Sequence, residues 1–176
     1  MNFDEIPSAW RGHEQFAGWL VAHLKPRVIV ELGVDCGFST IAFARPNIGR
    51  IYAIDWFRGD SYVGPRNVEE QCRENLKDAG VQNVELIVGD FAEVASRWKY
   101  SVDILHIDGD HAYESVKRDF ECWQRFVRPG GVILMHDTQW FPDQVGRFFG
   151  EITWPKFAFE HACGLGVITA PAMDAR

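Results

Sequence analysis

The stretch that decides the fold is RVIVELGVDCGFST, Arg27–Thr40. It begins as a short apolar run rich in Val and Ile, passes into a glycine-containing loop, and leads into a helical pattern. Similar apolar runs recur at residues 50–55, 83–88, 102–107, 131–135 and 165–170, with amphipathic stretches between them. Short runs of this kind, mostly without polar alternation, are typical of parallel strands that helices cover on both faces. The pattern predicts a doubly wound α/β fold.

The rhythm changes near the carboxyl end of the chain. Lys156–His161 is typical of a further strand, and only three residues separate it from Leu165–Ala170. Because a helical crossover does not fit into three residues, we expect these two strands to be antiparallel. The sequence therefore predicts a seven-stranded, mostly parallel sheet with a C-terminal antiparallel hairpin. We expect one domain over residues 1–176, with an N-terminal helical segment at 1–25 and the core at 26–170.

Composition excludes several classes of function. The 176 residues carry a formal net charge of -7, from 18 Lys+Arg against 25 Asp+Glu. Nucleic acids and anionic membranes select basic faces, so we expect neither as a partner. No apolar run approaches the ~20 residues of a membrane helix, and the first residues do not have the pattern of a signal peptide. Four widely spaced cysteines indicate a reduced, cytoplasmic protein: Cys36, Cys72, Cys122 and Cys163.

Acidic residues stand at the ends of the first five predicted strands. They are Asp35, Asp55, Asp90, Asp108 and Asp137. Any one of them can be explained as the N-cap of the helix that follows. Five along one sheet edge favour a ligand instead, because open α/β sheets bind ligands outside the carboxyl ends of their strands.

The first loop argues against a dinucleotide. Counted from Gly33, the G-x-G-x-x-G fingerprint meets Asp35 and Phe38 where glycines belong. A dehydrogenase is therefore the weaker alternative, and a ligand without a phosphate suits the loop better. Asp55 is placed to accept both hydroxyls of a ribose, Asp90 to accept the amino group of adenine, and the neighbouring Phe91 to stack on the base or to pack in the core. These groups together describe a site for S-adenosylmethionine (SAM).

Several motifs resemble known methyltransferases. ELGVDCGFS (residues 31–39) resembles the first motif of catechol-type O-methyltransferases. HIDGDHAYESVKRDFECW (106–123) and RPGGVILMHDT (128–138) resemble the class I SAM-dependent methyltransferases of methyltransferase family 24. The resemblance implies a Rossmann-like methyltransferase that methylates a hydroxyl of a small molecule, such as a sugar or glycan precursor or a natural product. The strand-end residues and the resemblance together predict ten cofactor-binding residues. They are Glu31, Gly33, Asp35, Gly37, Ser39, Asp55, Trp56, Asp90, Phe91 and Asp108.

The resemblance also implies a metal site. In the metal-dependent relatives, acidic and amide residues hold Mg²⁺ at positions that Asp108, His136 and Asp137 match here. His136 departs from that all-oxygen pattern, because imidazole suits Mn²⁺ and its neighbours better than Mg²⁺. We expect a divalent metal, Mg²⁺ or Mn²⁺. The alternative is that His136 points into the sheet and Asp137 caps a helix, which would leave a SAM-binding module without catalysis.

His111 lies three residues past Asp108, at the position where the catechol-type enzymes carry a lysine as general base. A histidine titrates in the range that this task needs. The sequence therefore names His111 and Asp108 as catalytic residues, with a role in ordering the loop as the alternative for His111.

Two segments are candidates for closing the site. The connection from Trp56 to Asn67 is long, polar and glycine-containing, as binding loops often are. The N-terminal segment with Trp10 and Trp19 is short. We therefore expect a pocket that is open or completed by a second subunit in a homo-oligomer.

Overall fold

The computed structural model describes residues 3–60 and 62–172, with the side chain of residue 4 left out. Their strands are β1 (Val28–Leu32), β2 (Arg50–Asp55), β3 (Gly59–Asp60), β4 (Gly64–Pro65), β5 (Val84–Val88), β6 (Val102–Ile107), β7 (Val127–His136), β8 (Lys156–Phe159) and β9 (Leu165–Thr169). Their α-helices are α1 (Glu14–Leu24), α2 (Phe38–Ala44), α3 (Glu69–Asp78), α4 (Phe91–Arg97), α5 (Tyr113–Trp123) and α6 (Arg147–Glu151).

Seven strands form one sheet in the order β5-β2-β1-β6-β7-β9-β8. The pairs from β5 to β7 are parallel, whereas β9 is antiparallel to both β7 and β8. This confirms the predicted α/β class and the C-terminal hairpin. β9 alone runs against the sheet, because β8 is antiparallel to β9 and so shares the direction of the other strands.

Two apolar layers cover the sheet. Consecutive strand residues point to opposite faces, and in β1 Ile29 enters one layer while Val30 enters the other. Residues of α1, α2 and α3 complete the first layer, and residues of α4, α5 and α6 complete the second. Burial on both faces explains why the strand sequences are continuously apolar.

Two helices begin after loops that adjoin the site. α5 begins at Tyr113, two residues past His111, so His111 lies in the loop after β6. α6 follows a π-helical turn, Pro142–Gly146, in which the backbone N–H of Gly146 donates to the carbonyl oxygen of Phe141 at 3.0 Å.

The long connection after β2 folds back on itself. β3 and β4 pair as a two-stranded antiparallel hairpin, here called the β3–β4 hairpin. It stands beside the carboxyl ends of the parallel strands, where its side chains reach the site described below. Within the described part of the chain, every helix is too short or too polar to cross a membrane.

Candidate functional site

A cavity of about 540 Å³ opens at the carboxyl ends of the parallel strands. Its size lies within the range of small-molecule sites. Eight of the ten predicted cofactor residues line it: Gly33, Asp35, Ser39, Asp55, Trp56, Asp90, Phe91 and Asp108. Four of the five acidic strand ends, Asp35, Asp55, Asp90 and Asp108, therefore face a common space, as the sheet topology leads us to expect.

Gly33 brings the loops after β1 and β6 into contact. Its φ angle is +91°, and a Cβ atom on it would overlap the backbone carbonyl oxygen of Asp108. Both the backbone conformation and the lack of space require glycine here. The close approach sets Asp108 beside the first loop and shapes the floor of the cavity.

Asp55 organises the loop that carries the first motif. Its Oδ2 accepts hydrogen bonds from the backbone N–H groups of Val34 and Asp35, at 2.8 and 3.0 Å, and its Oδ1 accepts one from Phe57 at 2.7 Å. The carboxylate thus holds two turns in register while it lines the cavity. Asp35 has a partner of its own, because Arg66 Nε lies 2.8 Å from its Oδ1.

Asp90 caps a helix and also faces the cavity. Its Oδ1 caps α4 by accepting from the backbone N–H groups of Ala92 and Glu93, at 2.9 and 3.0 Å. The residue also lines the cavity next to Phe91. Capping and ligand binding are therefore compatible at this strand end.

Glu31 lies outside the cavity, contrary to the sequence prediction. Its side chain is fully buried, where Oε1 accepts from Nδ1 of His106 at 3.0 Å and Oε2 accepts from the hydroxyl of Thr40. Trp10 Nε1 donates to Nε2 of His106 at 3.0 Å, so the His106 proton must sit on Nδ1. Strand alternation turns Glu31 into the interior, where His106 and Trp10 complete the buried network.

Gly37 also lies outside the cavity lining. It is the N-cap of α2 with a φ of +86°, and its Cβ position would face the Sγ of Cys72 at 3.3 Å. The glycine is therefore required by the turn and by the packing of α3 against it.

Acidic and histidine side chains form a cluster around the ends of β6 and β7. Ligand atoms of Asp108, His111 and Asp137 all lie within 4.8 Å of one another. His111 bridges two carboxylates, with Nε2 2.8 Å from Oδ2 of Asp137 and Nδ1 2.9 Å from Oδ2 of Asp60. Burial lowers the pKa of His111, but the hydrogen bond to Asp137 and the charges of Asp108, Asp137 and Asp60 raise it above its usual value.

His136 lies deeper, against the same carboxylates. Its Nδ1 is 3.2 Å from Oδ1 of Asp108 and 3.2 Å from Oδ2 of Asp137. Its Nε2 donates to the carbonyl oxygen of Ala162 at 3.1 Å. Burial alone would lower the pKa of His136, but the two carboxylates raise it to about 11. The three residues predicted to bind metal are thus in contact, and His111 joins them.

A comparison with protein families identifies the family to which the chain belongs. The model of methyltransferase family 24, a methyltransferase domain, matches residues 30–138 of the chain. The chain belongs to methyltransferase family 24. The matched residues run from β1 to just past Asp137, and so include the first loop, the strand ends and the acid–histidine cluster.

Two individual relatives are similar to this family 24 chain over most of its length. The protein y4gI of Sinorhizobium fredii is 34% identical over 178 residues, which cover 95% of this chain and 20% of that protein. The caffeoyl-CoA O-methyltransferase of Stellaria longipes is 28% identical over 147 residues, or 76% of this chain and 57% of that enzyme. The chain therefore spans only a fifth of the rhizobial protein and just over half of the plant enzyme.

The fold of the family 24 chain matches solved methyltransferases. The O-methyltransferase TomG of Streptomyces achromogenes, solved in complex with SAM, superimposes with a TM-score of 0.74 at 19% identity. The match covers 97% of this chain and 89% of TomG. The predicted class I methyltransferase fold is confirmed.

The two N-terminal tryptophans occupy different environments. Trp10 is buried and lines the cavity, whereas Trp19 is 53% exposed and stacks on Phe16 and His23, away from the cavity. Only Trp10 is therefore placed to close the site.

Two acidic residues at the site of the family 24 chain were not predicted from its sequence. Asp60 reaches His111 from the β3–β4 hairpin. Asp119 is 1% exposed on α5 and lines the cavity. Asp119 follows Val116 by three residues, a spacing that places it on the core-facing stripe of the helix and marks it as an unusual acid. The pairing of Asp60 depends on a loop conformation that has no such periodic signal.

Proposed function

We propose that the chain transfers the methyl group of SAM to a hydroxyl oxygen of a small molecule, with the help of a divalent metal. The observation that carries the proposal is that one cavity is lined both by the candidate adenosine residues and by Asp108, His111 and His136 of the acid–histidine cluster. Family membership supports methyl transfer, and the names of the plant relative and of TomG support an oxygen acceptor. An acceptor placed between the two groups would face the cofactor and the cluster together.

The cofactor end supplies shape and polar contacts. SAM, when bound, supplies a methyl group on a sulfonium, so the protein has mainly to position the reactants. Gly33 lets the cofactor pass close to the backbone, and Asp55 is the candidate for the ribose hydroxyls. Phe91 offers a ring face at the wall where we place the adenine.

The cluster suits a divalent cation. Asp108 and Asp137 provide carboxylate oxygens, and His136 provides Nδ1, because its Nε2 is held by a backbone carbonyl. Metal-binding histidines usually have their second nitrogen fixed in this way. A mixed oxygen and nitrogen set favours Mn²⁺, Fe²⁺, Co²⁺ or Zn²⁺ over Mg²⁺. A cation bound there would lower the pKa of an acceptor hydroxyl.

We assign the general base to His111. Asp60 accepts from Nδ1 and fixes the ring, so that Nε2 faces Asp137 and the cavity. A base oriented by a carboxylate is a recurring catalytic arrangement. Since the neighbouring carboxylates raise its pKa, His111 becomes neutral, and able to accept a proton, only above the usual range for histidine.

Binding of S-adenosylhomocysteine (SAH) tests the cofactor. Calorimetry should detect SAH binding to the wild type, and Asp55→Asn should weaken it at least tenfold with an unchanged circular dichroism spectrum. Glu85→Gln, an exposed change outside the cavity, is the control. An absence of SAH binding at high micromolar concentration would contradict the proposal.

Metal and base have separate tests. In protein treated with EDTA, Asp137→Asn should abolish Mn²⁺ binding measured by calorimetry, whereas His111→Gln should retain it. With SAM and a panel of catechols and sugars, mass spectrometry should detect a methylated product. Its rate should fall below the pKa of His111 in the wild type and become flat with pH in His111→Gln. Loss of Mn²⁺ binding in His111→Gln would instead make His111 a metal ligand.

A further inference from the structure

Asp119 is a buried acid on the wall of the cavity. It lies on α5, is 1% exposed, and lines the cavity together with Phe91. Its Oδ1 receives both contacts from Arg118, each at 3.3 Å. Its Oδ2 accepts no hydrogen bond from any residue in 3–60 or 62–172. Among the described residues, the Oδ2 atom of this acid on the cavity wall therefore has no hydrogen-bond partner.

The charges around Asp119 do not compensate for its burial. Arg118 stands on the same helix with its side chain 54% exposed, while Asp90 at the start of α4 and Asp110 after β6 are both acidic. Burial raises the pKa of Asp119 to about 7, with Arg118 opposing and the two acids adding to the rise. A buried polar group without a hydrogen bond is costly, and such groups are uncommon unless they serve a ligand.

Phe91 and Asp119 lie side by side on the cavity wall, both against Gly109. At Gly109 a Cβ atom would lie 2.6 Å from Cε2 of Phe91 and 3.6 Å from Oδ2 of Asp119. The glycine thus lets the aromatic ring pack close to the backbone next to the free carboxyl oxygen. Asp90, the residue that the sequence names for the adenine amino group, caps α4 through Oδ1 and keeps Oδ2 for a ligand, so a second acid on this wall can share the base with it.

We infer that Asp119, in its protonated form, reads the Watson–Crick edge of the adenine of SAM. Its free Oδ2, as the hydroxyl, donates a hydrogen bond to N1, and its carbonyl Oδ1 accepts one from the N6 amino group beside the long contacts from Arg118, while Phe91 stacks on the ring. The carboxylic acid is complementary to adenine in the same way as an asparagine amide, which pairs with an adenine edge through one donor and one acceptor. This inference rests on the proposed function, since it requires SAM in the cavity.

Ionisation of Asp119 removes the donor and sets a negative charge against the lone pair of N1. Affinity for the cofactor should therefore fall as the pH rises past the pKa of this acid. Asp119→Asn keeps one donor and one acceptor but does not titrate, so its affinity should not depend on pH at this point. Asp119→Leu keeps the approximate size and removes both hydrogen bonds.

The test is calorimetric titration of the three proteins with SAH at pH 6 and pH 8.5, with their folds compared by circular dichroism. We expect wild-type affinity to fall about tenfold or more over this range. Asp119→Asn should match the wild type at pH 6 and change by less than about twofold. Asp119→Leu should bind weakly at both values.

Two results would overturn the inference while the proposed function stands. One is a pH dependence in Asp119→Asn equal to that of the wild type, and the other is wild-type affinity in Asp119→Leu. If the wild type binds no SAH at either pH, the proposed function fails, and the inference fails with it.

Discussion

Replacing Asp119 by asparagine should change the dependence of stability on pH. Asp119 has a pKa of about 7 in the folded chain, against an ordinary value of 3.8. The folded state therefore holds a proton that the unfolded state has already lost, and stability falls as the pH rises through this window. Once the pH is well above the pKa of Asp119 in the folded chain, stability no longer falls on account of this group. Each unit by which the pKa is raised corresponds to about 1.36 kcal/mol of lost stability. Ionisation of the buried Asp119 therefore lowers the free energy of unfolding by at most about 4 kcal/mol, relative to an acid whose pKa is the same in the folded and unfolded chain.

Asparagine accepts from Arg118 as the aspartate does, but it carries no charge. Between pH 5.5 and pH 8.5 the free energy of unfolding of Asp119→Asn should rise by about 2 kcal/mol relative to the wild type. Urea denaturation of both proteins at the two pH values measures this difference, and groups common to both proteins cancel. Asp143→Asn, which alters an exposed acid, is the control and should follow the wild type. A difference for Asp119→Asn that stays constant with pH would refute the burial argument.

Three further predictions concern packing. Gly33→Ala should lower the free energy of unfolding by at least about 2 kcal/mol, because its φ is positive and a Cβ atom has no room. Gly150→Ala, with no atom within 4 Å of its Cβ position, should be neutral or stabilising by up to about 1 kcal/mol. Trp10→Phe should cost about 1–3 kcal/mol in urea denaturation, since it removes a buried hydrogen bond, whereas Trp19→Phe should cost little. Burial raises the pKa of Cys72, so iodoacetamide should label its thiol only after unfolding, as mass spectrometry can check; labelling of the folded protein would contradict this.

The class of fold could be predicted because both faces of the sheet are covered. A strand buried on both faces is mostly apolar, and short runs of Val and Ile that recur along the chain with amphipathic stretches between them are the resulting pattern. The short spacing before Leu165 similarly excluded a helical crossover. The acidic strand ends followed from topology, since parallel strands end at one edge and carry their last side chains there.

The finer structure of the site depends on contacts between distant residues. Glu31 belongs to the first motif, yet strand alternation and His106 turn its side chain into the interior. The acid that holds His111 is Asp60, 51 positions away along the chain. Single-sequence patterns report periodicity within an element, and neither contact arises from periodicity. The position of Asp119 on the apolar stripe of α5 could be predicted from the sequence. That no described residue donates a hydrogen bond to its Oδ2 could not.

The turn between β8 and β9 contacts both the residue before α1 and the last residue of β7. The carbonyl oxygen of Ala162 accepts from Nε2 of His13 and from Nε2 of His136, both at 3.1 Å. Ala162, Cys163 and Gly164 all have positive φ angles, so the backbone itself aims this carbonyl. His13 and Ala162 are separated by 149 positions. One backbone carbonyl therefore ties the residue before α1 to the acid–histidine cluster, and a change in this turn would release both imidazoles together.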